Sequence, residues 1–252
     1  MEVTLWSSAV LVVVGVLAGI INTLAGGGSN LTLPVLMVMG MPADIANASN
    51  RVGIFLQCLT GALGFRRHNR LDSREVVPML TPILIGGLAG AIAASFAPNW
   101  ILKPLLLGAM LTMTLIMVIR PSIIVPPENA SPLKVSESSA SWFGLIIAGF
   151  YGGFVQAGVG FILLAAISGV LRYDLVRGNA LKLVCTLAFT AVALVIFIAR
   201  GQIAWLPALI LSIGYIAGAH FSVKFAIQAK PGTLKKLLLV MTVCGCFAAM
   251  VF

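Results

Sequence analysis

Charged residues are scarce in this chain. Of its 252 residues, only 9% are Asp, Glu, Lys or Arg, whereas 60% are hydrophobic. A water-soluble domain carries about 25% charged residues, so this sequence lacks the polar surface that a soluble globule needs. Several apolar runs reach the roughly 20 residues with which a helix crosses a bilayer. We therefore predict an all-α polytopic membrane protein embedded in the lipid bilayer.

Sequence signals for metal binding, ATP hydrolysis and secretion are also absent. The four cysteines lie in apolar runs, and Cys244 and Cys246 have no metal-ligand spacing. There is no Walker motif, and no Lys or Arg precedes the first apolar run, which we expect to be a retained membrane segment rather than a signal peptide. The net charge of +9 comes from Lys and Arg between apolar runs, as in membrane loops. We expect no cofactor, no metal and no nucleic-acid partner.

Ten apolar segments can be distinguished along the chain. A polar, proline-containing stretch from 120 to 141 divides them into two groups of five and is predicted to be a cytoplasmic linker. Residues 1–119 would then form a first transmembrane repeat and residues 142–252 a second. The predicted segments are Leu5–Leu24, Leu31–Met41, Ala46–Phe65, Val76–Phe96, Ile101–Ile119, Trp142–Ala157, Phe161–Leu171, Ala180–Ala199, Trp205–Ala226 and Lys236–Phe252.

The two groups resemble each other in order and in detail. Each begins with a long segment, a glycine break, a short segment and a polar hinge, and three longer segments follow. Three local matches recur in the same order, which indicates an internal duplication. The matches are Gly15–Gly19 with Gly149–Gly153, Asn22 plus Gly26–Gly28 with Gln156 plus Gly158 and Gly160, and Asp44–Arg51 with Asp174–Lys182.

The charges of equivalent loops indicate opposite orientations of the two repeats. The loop from 66 to 74 is strongly basic, whereas its counterpart from 200 to 202 carries one charge. The next pair reverses this relation, because the loop from 97 to 100 is uncharged and that from 224 to 236 carries four lysines. Cytoplasmic loops are enriched in Lys and Arg. We predict two inverted-topology repeats, each with a broken helix pair plus three spanning helices, and both termini outside.

The two glycine breaks, residues 25–30 and 157–160, are candidate substrate-binding segments. In hydrocarbon an unpaired backbone group costs several kcal/mol, so a break persists only where protein or a cavity satisfies it. Interrupted segments at matching positions of inverted repeats mark transporter binding sites. The alternative is that these glycines only permit tight packing. The candidate residues here are Asn22, Gly26, Gly27, Gly28, Ser29 and Asn30 in the first half, with Gln156, Gly158 and Gly160 in the second.

Polar hinges before the third and eighth segments form a second candidate group. Arg51 and Lys182 occupy nearly equivalent repeat positions, each with an amide residue on the same helix face. Two such cations could hold a small oxyanion; alternatively, each could extend to the nearest interface. We expect Asp44 and Asp174 to cap the following helices; alternatively, they could carry coupled protons. The hinge candidates are Asn47, Ser49, Asn50, Arg51, Asn179 and Lys182.

These motifs together resemble the TauE/SafE family. The resemblance is carried by Gly19, Leu24–Ser29, Leu33-Pro34, Ala46–Arg51, Gly61–Phe65 and Arg177–Lys182, and it covers nearly the whole chain. It implies a transporter in the cytoplasmic (inner) membrane of a prokaryote, exporting sulfite, an organosulfonate or a similar sulfur-containing anion. It also implies that the first glycine break, the hinge from 47 to 51 and their second-half partners contact the substrate.

The leading functional hypothesis is a secondary transporter that works by alternating access around a central site between the repeats. Proton coupling is compatible with this hypothesis. A passive anion channel is the first alternative. An intramembrane serine hydrolase is the second, and it would require a hydrogen bond between Ser29 and His220.

Overall fold

The computed structural model describes residues 4–71, 73–119, 121–124, 131–135 and 139–229. This described part is helical, without a β-strand, as the composition predicts. The tenth predicted segment, Lys236–Phe252, and much of the stretch from 120 to 141 lie outside it. The helices are α1 (Leu5–Leu24), α2 (Ser29–Val38), α3 (Ala43–Arg67), α4 (Ser73–Phe96), α5 (Asn99–Ile119), α6 (Ser139–Phe154), α7 (Val159–Leu164), α8 (Leu175–Ala199) and α9 (Trp205–Gln228).

Four helices of the described part are long and apolar enough to cross a membrane, namely α1, α4 from Arg74, α8 and α9. The helix α3 has 25 residues but is more polar, because it carries the first hinge and Gln57 on buried faces. The two predicted short segments are both present. The first is α2, and the second is α7 extended by a π-helical segment, Ala165–Val170.

Two helix pairs, α1 with α9 and α4 with α6, make the most extensive contacts of the described part. Each of the four helices carries two glycines separated by three residues. A Cβ atom on any of these glycines would overlap the backbone of the partner helix. Small residues at this spacing let membrane helices approach closely. The glycines are Gly15 and Gly19 on α1, Gly214 and Gly218 on α9, Gly86 and Gly90 on α4, and Gly149 and Gly153 on α6.

The described helices form two bundles, and each bundle takes helices from both halves of the sequence. The first bundle is α1, α3 and α9; the second is α4, α6 and α8. The two bundles meet where α3 packs against α8. The hinge residues lie in the second and third turns of these two central helices, so they are placed at the joint between the bundles.

Candidate functional site

The two helix breaks touch each other in the interior of the protein. Gly26 has φ +95° and Gly158 has φ +75°, conformations that side chains other than Gly rarely adopt. A Cβ atom on Gly26 would overlap Cα of Gly160, and the reverse overlap also holds. Close packing, the alternative expectation for these glycines, is therefore observed for this pair. This contact brings the two predicted breaks together.

The first break leaves backbone donors without backbone partners. The carbonyls of Gly27 and Gly28 accept from the N–H groups of Asn30 and Leu31, each at 3.1 Å. Within the described part, no backbone carbonyl accepts from the N–H groups of Gly27 and Gly28. These two donors precede the ten-residue helix α2. Its start carries partial positive charge from the helix dipole, which favours an anion.

Arg51 of α3 reaches across to the end of α6. Its side chain is fully buried, and it donates from Nη1 to the carbonyl of Gly152 at 2.9 Å and from Nη2 to that of Gly153 at 2.7 Å. Nη2 also lies 3.2 Å from the carbonyl oxygen of Phe154. These are the last three residues of α6. A guanidinium at a helix C-terminus both satisfies the final carbonyls and compensates the negative helix end.

Lys182 of α8 makes the corresponding contact with the end of α1. Its ammonium donates to the carbonyls of Asn22 at 2.9 Å and Thr23 at 3.0 Å. It also donates to Oδ1 of Asn179 at 2.7 Å, as predicted from their shared helix face. The side chain is 1% exposed, so neither Lys182 nor Arg51 extends to a membrane interface. That alternative expectation is wrong, because both side chains find helix carbonyls in the interior.

No carboxylate of the described residues forms an ion pair with Arg51 or Lys182. The one ion pair of this part of the chain joins Arg177 to Glu75. The partners of Arg51 and Lys182 are carbonyl oxygens and the amide oxygens of Asn47 and Asn179, together with the ring of Phe197, whose centroid lies 5.0 Å from Cζ of Arg51. Two buried cations without acidic partners make the interior favourable for an anion.

Buried amides fix the ends of both broken helices. Asn22 donates to Oε1 of Gln57 at 2.5 Å, and Gln57 in turn donates to Thr23 at 2.9 Å. In the second half, Gln156 donates to Oγ1 of Thr190 at 3.2 Å. Gln156 adopts φ +65°, an uncommon conformation for a residue other than glycine. Asn22 therefore binds α3, and Gln156 binds α8, which is the next long helix of its own half in each case.

A polar cluster lies on one side of the site, where α2, α3 and α9 meet. Oδ1 of Asn50 accepts from Thr32 at 2.8 Å and from Tyr215 at 3.0 Å, and Nδ2 of Asn50 donates to Ser29 at 3.2 Å. All four side chains are buried. Sequence reasoning identified Ser29 and Asn50 but missed Thr32 and Tyr215. Isolated polar residues in apolar helices gave no repeat signal that could have identified them.

The remaining predicted residues are buried but point to different partners. Asn47 donates to the carbonyl of Phe154 at 3.0 Å, so it assists Arg51. Ser49 accepts from the N–H of Ala204 at 2.9 Å and so contacts the residue that precedes α9. Asn30 lies in the first turn of α2 and is 3% exposed.

The two predicted caps have different outcomes. Asp174 is the N-cap of α8 and accepts from the N–H groups of Val176 and Arg177, each at 3.0 Å. This prediction is confirmed. The prediction for Asp44 is wrong, because Pro42 occupies the N-cap position of α3 and Asp44 lies inside the first turn.

The Ser29–His220 hydrogen bond required for a serine hydrolase is not formed. Oγ of Ser29 accepts from Asn50 in the interior. His220 is exposed on α9, and its ring packs against Phe221 with centroids 5.9 Å apart.

Comparison with known proteins extends over nearly the whole chain. Residues 11–248 match the family described as sulfite exporter TauE/SafE. A probable membrane transporter protein of Haemophilus influenzae is 25% identical over 93% of this chain and 91% of its own. The probable membrane transporter protein ORF9 of a Sinorhizobium species is 21% identical over 93% and 89%. The probable membrane transporter protein YfcA of Escherichia coli is 21% identical over 92% and 86%. No solved structure matches the chain.

Proposed function

The chain belongs to the sulfite exporter TauE/SafE family of membrane transporters, and from this premise we propose that it exports a small sulfur-containing oxyanion such as sulfite or an organosulfonate. The observation that carries the proposal is the pair of buried cations at the touching helix breaks. Arg51 and Lys182 provide positive charge and form no ion pair with a described carboxylate, and Gly27 and Gly28 provide backbone donors. An oxyanion with several oxygens can accept from donors of both kinds.

The proposed mechanism is secondary transport by alternating access. Arg51 belongs to the first bundle and holds the end of α6 in the second, whereas Lys182 belongs to the second and holds the end of α1 in the first. An entering anion competes with the carbonyls for these donors. Occupation of the site therefore weakens the links between the bundles and lets one bundle rock against the other.

Inverted-topology repeats are part of this proposal. The recurring contacts support them. The glycine pairs of α1 and α6, the buried amide near the end of each of these helices, and the cation from the opposite half all have counterparts. With both termini outside, the basic loop from 66 to 74 faces the cytoplasm of a prokaryotic cell. The central site then lies between residues 1–119 and residues 142–252, the two proposed repeats.

The test is sulfite flux in liposomes that contain the purified full-length protein. Arg51→Ala and Lys182→Ala are each expected to lower flux at least tenfold, since a hydrogen bond to a charged group contributes about 1.5–3 kcal/mol. Lys103→Ala and Arg200→Ala remove exposed cations instead of buried ones and serve as matched controls. Thermal unfolding of each variant verifies that it is folded, and Arg51→Lys retains the charge if the alanine variant is unstable. Unchanged flux in both site variants would refute the site.

The same liposomes separate a transporter from a passive channel. Sulfite accumulation against its own gradient, driven by an imposed proton gradient or by a counterflowing anion, is expected for a coupled transporter. A channel only dissipates the gradient. If sulfite never accumulates above its equilibrium concentration under either driving force, secondary transport is refuted, whereas the anion site is not.

A further inference from the structure

A cavity of about 250 Å³ lies between the last turns of α3 and α9, at the end of the molecule that carries the basic α3–α4 loop. Here Val223 of α9 packs against Gly64 of α3. The lining brings together residues separated by more than 150 positions in the sequence. Its polar side chains are those of Thr60, Arg67, His68, His220 and Lys224.

The polar groups of this cavity suit an anionic ligand. Arg67 and Lys224 are exposed cations on its two walls. Both histidines of the chain line it, and Nδ1 of His68 donates to the carbonyl of Gly64 at 2.8 Å, which orients the ring. None of the residues that line it is acidic. A phosphate group is bound by such a set of donors through charge-assisted hydrogen bonds.

A second cavity, of about 340 Å³, adjoins the first on the other side of α3. Leu63 lines both cavities, and Arg66 lies in the second. The rest of its lining is mainly apolar, and Leu59 and Leu63 are 37% and 46% exposed. In the proposed topology α3 crosses the bilayer, so these exposed leucines face acyl chains. This second groove therefore offers an apolar surface directly beside the cationic cavity.

The length of α3 agrees with a headgroup depth for the two cavities in the proposed topology, in which α3 crosses the bilayer. The helix α3 has 25 residues, which at 1.5 Å per residue is about 37 Å. This length exceeds the roughly 30 Å hydrocarbon core. The last turn, with Arg66 and Arg67, would then lie at the membrane–water boundary, with the leucines one and two turns deeper.

We propose that this site binds an anionic phospholipid. Its phosphate lies between Arg67 and Lys224, and one acyl chain follows the groove past Leu63 and Leu59. Basic cavities between membrane helices bind acidic headgroups in this way. The adjoining apolar groove favours a lipid over a soluble phosphate. The site is separate from the buried cations Arg51 and Lys182, so the proposal does not depend on the transported substrate.

Lipid titration of the detergent-purified full-length protein, followed by native mass spectrometry and thermal unfolding, tests the proposal. The probes are phosphatidylglycerol, phosphatidylcholine and soluble glycerol 3-phosphate. Phosphatidylglycerol is expected to bind and to raise the unfolding temperature, and the other two are not. In the double variant Arg67→Gln/Lys224→Gln, its affinity is expected to fall about thirtyfold, since each nearby cation contributes about fivefold.

The double variant Lys103→Gln/Arg200→Gln removes the same charge elsewhere and is expected to retain binding. Equal loss of affinity in this control would show a general charge effect and overturn the site. Undiminished binding by Arg67→Gln/Lys224→Gln would also overturn it. An equal response to glycerol 3-phosphate would identify a soluble phosphate as sufficient and refute the lipid. An equal response to phosphatidylcholine would refute recognition of charge.

Discussion

Replacing Gly26 by alanine should destabilise the protein by about 2–5 kcal/mol, and the structure divides this cost into two parts. The first is backbone strain, since Gly26 has φ +95° and a left-handed conformation costs other residues about 1–2 kcal/mol. The second is overpacking, since the new Cβ would overlap Cα of Gly160, and such insertions cost about 1–3 kcal/mol.

Substitutions at two other glycines measure the strain cost and the overpacking cost separately. Gly40 has φ +88°, but a Cβ there meets nothing within 4 Å, so Gly40→Ala should cost only the strain. Gly160 has no positive φ, but its Cβ would overlap Cα of Gly26, so Gly160→Ala should cost only the overpacking. All three changes restrict the unfolded chain equally, and this contribution therefore cancels in the comparison.

Reversible unfolding of the three variants in mixed detergent micelles measures these costs. The destabilisation of Gly26→Ala should exceed that of Gly40→Ala by about the amount found for Gly160→Ala. Equal values for Gly26→Ala and Gly40→Ala would mean that the breaks do not touch, and the reasoning about a shared interior site would fail. Flux by folded Gly160→Ala protein should also fall, because the two broken helices would be pushed apart.

Two further changes test local interactions by the same unfolding measurement. Asp174→Ala removes a helix cap and should cost about 1 kcal/mol of stability. Asp44→Ala should cost less, because Oδ1 of Asp44 has no hydrogen-bond partner among the described residues. Equal costs would contradict the assigned caps. Tyr215→Phe removes the hydroxyl that contacts Thr32 and Asn50 and should cost about 1 kcal/mol of stability. An unchanged stability would show that the polar cluster around Asn50 is not formed.

The helices could be predicted from hydropathy because most of their residues are apolar. The first segment, Leu5–Leu24, was predicted with the bounds that the structure shows. The starts of α3 and α8 were placed three and five residues late, at Ala46 and Ala180 rather than at Ala43 and Leu175. The residues missed at these starts include Asp44, Arg177 and Asn179, which interrupt an apolar run.

The two buried cations were more accessible to sequence reasoning than their partners were. Repeat matching singled out Arg51 and Lys182, since cations at nearly equivalent positions of two repeats are conspicuous in an apolar chain. Their acceptors are backbone carbonyls 101 and 160 positions away for the contacts with Gly152 and Asn22. A carbonyl carries no sequence signal, because every residue has one. Only the fold reveals which helix end is in reach.

The choice of carbonyl rather than carboxylate partners bears on the proposed transport. A buried Arg or Lys paired with Asp or Glu would form a neutral unit with little attraction for an anion. A helix C-terminus instead carries only about half a negative charge, so the ends of α1 and α6 offset about half of the charge of Lys182 and Arg51. The remainder attracts an oxyanion and repels cations. Because the same donors link the two bundles, the proposed mechanism makes binding of the anion and loosening of the joint one event.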